Sequence, residues 1–319
     1  MKSVMVTGAS GFVGTALCQE LVRQGFDVVG AVRREKGEVQ NVTYLEADLA
    51  DPSAFSDDFP TVDCLIHLAG RAHVLSDKAS DPLSAFREVN RDATVRLARR
   101  ALKAGVKRFV FVSSIGVNGN FTEETPFTEQ SPVKPHAAYA VSKYEAELEL
   151  TDLLRNTAME LVIVRPPLIY AENAPGNFGR LLRLVFAGVP LPLRSVRNAR
   201  SLISRRNFVD FLILCVTRPQ AAGELFLVAD GVDVTTRQMI ETIGKGMNQD
   251  SRLFIFPLVL LKVILSLIGK KSMYEQLCGS LQVDASKARQ LLGWRPVEST
   301  VSALFEVGRA YKERIVDRK

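Results

Sequence analysis

Tyr139-Ala140-Val141-Ser142-Lys143 sets a phenol and an ammonium four residues apart, so on a helix they lie one above the other on a single face. A free phenol titrates at about 10 and is a poor acid–base group at neutral pH unless a nearby cation stabilises its phenolate. Lys143 can supply that charge. Upstream, Phe109-Val110-Phe111-Val112-Ser113-Ser114 ends an apolar run in two hydroxyls. A serine there can hydrogen-bond a carbonyl or alkoxide oxygen while the tyrosine transfers the proton. Each piece also has a plain structural use, the first as a surface pair and the second as a cap. Their order behind a glycine-rich N-terminus points to hydride transfer chemistry.

That N-terminus, Thr7-Gly8-Ala9-Ser10-Gly11-Phe12-Val13-Gly14, is a GxxGxxG directly after an apolar strand and at the start of a helix. Gly8 permits a tight turn, Gly11 lets the backbone approach a pyrophosphate, and Gly14 allows close helix packing. The helix N-terminus presents unpaired N–H groups to the anion. The adenosine ribose is read at the end of the second strand, which here runs Gly30-Ala31-Val32-Arg33-Arg34. Two guanidinium groups suit a 2′-phosphate, whereas an acid would repel it, so NADP(H) is the favoured cofactor. A strand end two residues later would bring in Glu35 and leave NAD(H) as the alternative. Asp48, after the third strand, is an adenine-edge contact or a helix N-terminal residue.

Apolar runs alternating with helical patterns are the mark of parallel βαβ units. Strands are predicted over Ser3–Thr7, Asp27–Val32, Thr43–Glu46, Cys64–Leu68, Arg108–Val112 and Glu160–Arg165, with helices over Gly11–Gln24 and Pro82–Ala104. The predicted fold is α/β: a doubly wound parallel sheet of Rossmann type with a smaller, interlaced C-terminal α/β substrate domain. The dinucleotide half is residues 1–167, with 205–232 returning to the sheet through a strand near Glu224–Ala229. Residues 168–204 and 233–319 form the substrate half. Leu253–Gly269 is 17 residues long, holds Pro257 and Lys262, and falls short of the roughly 20 apolar residues that span a bilayer. It reads as a buried helix from Pro257, with peripheral membrane contact as the alternative.

The composition is that of a globular protein, which excludes disordered and fibrous classes. Cys18, Cys64, Cys215 and Cys278 show no CxxC pair, so no metal site or disulfide framework is expected, and a reduced cytoplasm fits. The net charge of +6 is too mild to imply nucleic acid. Its distribution is more telling, because residues 173–209 contain seven arginines and no Asp, Glu or Lys. Such a stretch suits a diphosphate through bidentate contacts.

Taken together, the sequence resembles the extended short-chain dehydrogenase/reductase family, and within it the UDP-glucose 4-epimerase-like nucleotide-sugar enzymes of the epimerase/dehydratase group. The resemblance is carried by the three glycines, Asp48, His67-Leu68-Ala69-Gly70, Asn90, Ser113-Ser114, Tyr139 to Lys143 and Arg165-Pro166, and covers nearly the whole chain. It implies Ser114, five residues before Gly119, as the catalytic hydroxyl, Tyr139 as the acid–base and Lys143 as its partner. Cofactor contacts are implied at Gly8, Ser10, Gly11, Phe12, Val13, Gly14, Arg33, Arg34, Asp48, Leu49, Leu68, Ala69, Gly70, Asn90, Tyr139, Lys143 and Pro166. Ser114, Asn177 and Arg200 would hold a UDP-sugar. Two departures stand out: Ile115-Gly116 replaces the Asp-Glu of 4,6-dehydratases, and Asn118 stands where many 4-epimerases carry tyrosine. Ser272–Asp284 and Leu292-Gly293-Trp294 look like bacterial reductases of UDP-2-acetamido-2,6-dideoxy-4-ketohexose, which implies a 4-keto reductase in surface polysaccharide synthesis. The alternatives are a UDP-N-acetylhexosamine or UDP-glucose 4-epimerase and a non-catalytic NADP(H)-binding sensor or scaffold. Family members often pair as homodimers through helices equivalent to Pro82–Ala104 and Tyr139–Leu154.

Overall fold

Strands covered by helices on both faces are largely apolar, and seven strands lie side by side in one sheet, the edge strand Val42–Glu46 the least buried of them. The computed structural model describes residues 1–33, 38–55, 59–72 and 81–317. The first half runs β1 (Ser3–Thr7), α1 (Gly14–Arg23), β2 (Asp27–Val32), β3 (Val42–Glu46), β4 (Cys64–His67), α2 (Pro82–Arg87), a π-helical turn (Glu88–Asp92), α3 (Ala93–Lys103), β5 (Arg108–Val112), α4 (Ala138–Leu154) and β6 (Glu160–Arg165). The second half adds β7 (Leu168–Tyr170), α5 (Gly176–Phe186), β8 (Leu202–Ser204), α6 (Arg205–Thr217), β9 (Leu225–Leu227), α7 (Thr236–Gly246), α8 (Leu258–Leu267), α9 (Lys271–Cys278), α10 (Ser286–Leu292) and α11 (Thr300–Val316). The main sheet is parallel, in the order β3-β2-β1-β4-β5-β6-β9. This is the doubly wound arrangement whose order reverses between β1 and β4, where ligands of such sheets bind.

Alternation along each strand divides the core. Val4, Val6, Ile66, Val110 and Val162 face α1, α6 and α10, whereas Met5, Leu65, Phe109, Phe111 and Ile163 face α3 and α4. A third apolar cluster joins α5, α7 and α11 beside the small parallel sheet of β7 and β8. Asp230, after β9, ties the regions together, accepting from Tyr170 (2.7 Å), the Ser204 amide (3.0 Å) and Asn207 (2.7 Å).

Three local expectations are corrected. The first helix begins at Gly14 rather than Gly11, because residues 8–13 form the turn itself and the Gly11 amide is spent on Gly8 O at 2.9 Å. The stretch Pro82–Ala104 is not one regular helix: Glu88–Asp92 widens into a π turn, a feature often found at functional sites. Leu253–Gly269 yields α8, starting after Pro257 as expected, but only Leu261 and Leu265 of that helix are buried. Hydropathy reports what a side chain prefers, and among the described residues no further element covers the other face. No helix of the described residues is long and apolar enough to cross a membrane.

Candidate active site

The carboxyl ends of β1, β4, β5 and β6 are neighbours, and the sequence-predicted residues gather on them. At β1, the turn requires glycine for two separate reasons. Gly8 takes φ +69°, a Cβ there would stand 3.0 Å from Ala69 N in the loop after β4, and a Cβ on Gly14 would stand 2.0 Å from Gly8 O. The Val13 cap of α1 has no side-chain hydrogen bond; Thr15 N donates to Gly11 O at 3.0 Å, and the other amides of this helix start can face an incoming anion. Phe12 turns the other way: its ring joins the α5–α7–α11 cluster and lies 5.2 Å beneath the Arg205 guanidinium, so only its backbone remains for a cofactor.

Behind the turn, a buried polar chain links the strand ends. Thr7 Oγ1 meets His67 Nδ1 at 2.7 Å, His67 Nε2 meets Thr94 Oγ1 at 2.8 Å, and Thr94 donates to Asn90 O at 2.8 Å. Burial pushes the His67 pKa down to about 3, so the ring is neutral. Asn90, fully buried in the π turn, accepts from the Arg71 amide at 2.7 Å and donates to Ser142 Oγ at 3.0 Å. Its hydrogen bonds therefore pin the loop after β4 to α4.

Lys143 sits where β4 and β5 end. Its ammonium donates to Val112 O at 3.0 Å and lies 4.7 Å over the Phe111 ring, while a Cβ on Gly70 would come 3.4 Å from Nζ and 3.0 Å from Asn90 Oδ1. Burial lowers the Lys143 pKa to about 8, partly offset by Glu147 one turn on. The Tyr139 phenol is pushed up to about 12 by burial, the reverse of the expected lowering. In place of an ammonium, its ring meets Phe86 edge-on at 6.1 Å. Ser114 Oγ accepts from Gly116 N at 3.1 Å, which leaves its own proton to donate to a substrate oxygen. A Cβ on Gly116 would touch both Ser114 Oγ (3.3 Å) and Ala140 Cβ (3.4 Å), so the serine faces the start of α4. Ser113 Oγ is buried without a hydrogen-bond partner among the described residues. Pro166 O accepts from Ile115 N at 3.0 Å and so holds the loop that carries Ser114.

With this geometry in place, four likenesses to known proteins place the chain. Residues 4–229 match the model of the NAD dependent epimerase/dehydratase family. The chain belongs to that family. It is 37% identical over 313 residues to a UDP-glucose 4-epimerase of Vibrio cholerae, covering 97% of this chain and 95% of the relative. It is also 26% identical to an N-acetyl-alpha-D-glucosaminyl-diphospho-ditrans,octacis-undecaprenol 4-epimerase of Escherichia coli O157:H7, covering 89% and 88% of the two chains. A short-chain dehydrogenase/reductase superfamily protein of Agrobacterium tumefaciens, solved with bound NAD, shares the fold at TM-score 0.79 and 22% identity, covering 99% and 98%.

The residues present fit a dinucleotide, as the epimerase/dehydratase family requires: the cradle at Gly8 and Gly14 admits no Cβ, and the α1 amides lack a side-chain cap. Arg33 is exposed at the end of β2, whereas Arg34 and its rival Glu35 lie outside the described residues. Asp48 caps no helix; its carboxylate accepts from Ala50 N at 3.0 Å in a turn. Leu49 packs into the α3–α4 core, Leu68 packs into the core on the α1 side, and the amides of Leu68 and Ala69 both reach Thr7. Of the residues predicted to hold substrate, Asn177 Nδ2 donates to Gln276 Oε1 of α9 at 2.5 Å, and Arg200 donates to Gly279 O at 3.3 Å. The seven arginines do not converge. Arg205 pairs with Glu172 at 2.9 Å, and both it and Arg206 line a separate cavity of about 670 Å³ with Glu20, Asp210 and Glu298.

Sequence reasoning missed two elements of the site's support. One is the Thr7–His67–Thr94 chain, whose only signal is a histidine in an otherwise apolar strand. The other is the buried Glu147–Arg165 pair, in which Arg165 Nε donates to Glu147 at 2.9 Å and Nη1 to Asn118 Oδ1 at 3.0 Å.

Proposed function

We propose that this protein moves a hydride at C4 of a UDP-sugar, and that it runs as a reductase of a UDP-N-acetyl-6-deoxy-4-ketohexosamine with exchangeable NADPH. The observation that carries the hydride chemistry is the meeting of Lys143, Asn90 and Gly70 at the strand ends, one helical turn from Tyr139. Both named relatives are 4-epimerases of diphosphate-linked sugars, which supports C4 as the reacting carbon. When bound, the nicotinamide supplies or accepts the hydride. The chain's own residues do the rest. The glycine turn and α1 amides would hold the pyrophosphate, and Lys143 the nicotinamide ribose. Ser114 donates to the sugar oxygen, and Tyr139 gives that oxygen its proton during reduction or removes it during oxidation. Ile115 and Gly116 cannot move a proton, which argues against 4,6-dehydration.

Arg33 favours a 2′-phosphate and thus a cofactor that leaves each turn. The second reading, a 4-epimerase retaining NAD, is favoured by the 37% relative. One experiment separates them. Purified protein is given the 4-keto UDP-sugar with NADPH or NADH, and separately UDP-glucose or UDP-N-acetylglucosamine with no added cofactor. Oxidation of NADPH supports the reductase; turnover without added cofactor, with bound NAD in equal amount to protein, supports the epimerase. Neither product, from protein that still binds a dinucleotide, would sink the proposal. Tyr139→Phe should cut either activity about 10²- to 10⁴-fold.

A further inference from the structure

The face of α8 turned away from the protein remains without a role in the chemistry above. At 100° per residue, Val259, Leu260, Val263, Ile264, Leu267 and Ile268 fall on one half of that helix, and all are exposed, Val259 by 74% and Leu267 by 81%. The opposite half, through Leu261 and Leu265, packs on the α5–α7–α11 core. The helix thus has two apolar sides, only one of them covered. Just before it, Phe254 and Ile255 extend the exposed surface, and bonds from Phe254 N to Leu191 O (3.1 Å) and Arg194 N to Phe254 O (3.3 Å) fix that segment against residues 191–194.

Along the segment that carries this surface the charges have one sign. Between Asp250 and Glu275 there are four cations, Arg252, Lys262, Lys270 and Lys271, and no carboxylate. Arg252, Lys262 and Lys270 are exposed and pair with no carboxylate among the described residues. On the helix, Lys262 stands at the edge of the exposed apolar half rather than within it. Ile255 also borders a cavity of about 540 Å³ whose wall carries Arg194, Arg197 and Arg237, with Glu241 bound to the last at 2.8 Å. An apolar stripe edged by lysines and flanked by an arginine-lined recess suits the boundary between acyl chains and anionic headgroups. A second copy of the chain fits poorly, since a two-fold contact through this face would bring lysine against lysine.

We infer that α8 and the residues around it dock this protein on the surface of an anionic lipid bilayer. The helix lies in the interface with Val259, Ile264 and Leu267 among the acyl chains and Arg252, Lys262 and Lys270 at the headgroups. Asn177 is bonded to Gln276 of α9, which follows α8 directly, so docking sets the substrate side of the protein beside the membrane.

The test is sedimentation of the full-length protein with phosphatidylcholine vesicles, with and without phosphatidylglycerol. Wild type should pellet with the anionic vesicles, release as salt is raised, and stay largely in solution with the neutral ones. Val259→Gln with Leu267→Gln should weaken binding at least tenfold, and Lys262→Glu by about 25-fold, at about fivefold per unit of charge. All three positions are exposed, so melting temperature and activity on a soluble UDP-sugar should match wild type, which keeps this result separate from that of the catalytic proposal. Wild type remaining in the supernatant with anionic vesicles would overturn the inference. So would equal binding to both vesicle types, or a dimer in velocity sedimentation that the double variant dissolves.

Discussion

Glu147→Gln tests whether the buried ion pair behind α4 supports both the fold and the lysine. Glu147 and Arg165 are each only 4% exposed, so the substitution strands a buried guanidinium whose remaining side-chain partner is Asn118. Removing one member of such a pair costs about 3–5 kcal/mol. At roughly 2 cal/mol/K per residue, unfolding this chain of 319 residues carries an entropy near 0.7 kcal/mol/K, so the melting temperature should drop by about 4–8 °C. The second effect is on Lys143, which burial lowers to about 8 and Glu147 raises. On the proposed mechanism, activity needs the cationic lysine and is lost as pH climbs through its pKa. Taking away the anion, and leaving Arg165 uncompensated, should move that alkaline limb down by about one unit. Calorimetry and the pH profile of kcat are the assays. Glu147→Leu with Arg165→Met should recover most of the stability while the limb stays low. An unchanged melting temperature, or a limb that stays put or moves up, would refute the reasoning.

Three further outcomes follow from the same structure. Gly14→Ala places a methyl 2.0 Å from Gly8 O, so dinucleotide affinity by calorimetric titration should fall at least 100-fold. Arg33→Glu should invert cofactor preference, raising the NADPH Kd by about 10- to 100-fold and sparing NADH; equal affinities before and after would show that Arg33 does not read the ribose. His67 is depressed from 6.5 to about 3, so the folded state binds fewer protons than the unfolded one. Its contribution is fully present above about 6.5 and is lost as pH falls toward 3. Between pH 7 and 5 wild type should lose roughly 2 kcal/mol, or about 3 °C, more than His67→Asn.

How much of this was legible in the sequence follows from which forces are local. The strands β1, β2, β5 and β6 match the apolar runs residue for residue, because a strand buried on both faces needs no partner-specific pattern to be recognised. The glycine turn was equally plain, since a positive φ at Gly8 and the 2.0 Å approach at Gly14 admit no other residue. The Tyr139–Lys143 spacing was read from the sequence, but the electrostatics of the two groups were not: burial raises the Tyr139 pKa and lowers that of Lys143, and the rings packed against them, Phe86 and Phe111, are distant in sequence.

What the sequence by itself determined, then, is what depends on backbone conformation and on periodicity: the parallel strands, the glycine turn and the spacing of Tyr139 and Lys143 on one helix. What only the tertiary structure decided is which side chains find company. Seven arginines in one stretch read as one cluster, yet Arg205 and Arg206 turn toward Glu172 and Glu298. A helix as apolar as α8 reads as core, yet most of its surface is bare. Charge and hydrophobicity are preferences of single residues. Pairing and burial depend on which distant segment lies within a few ångströms, and that is settled only when the whole chain has packed.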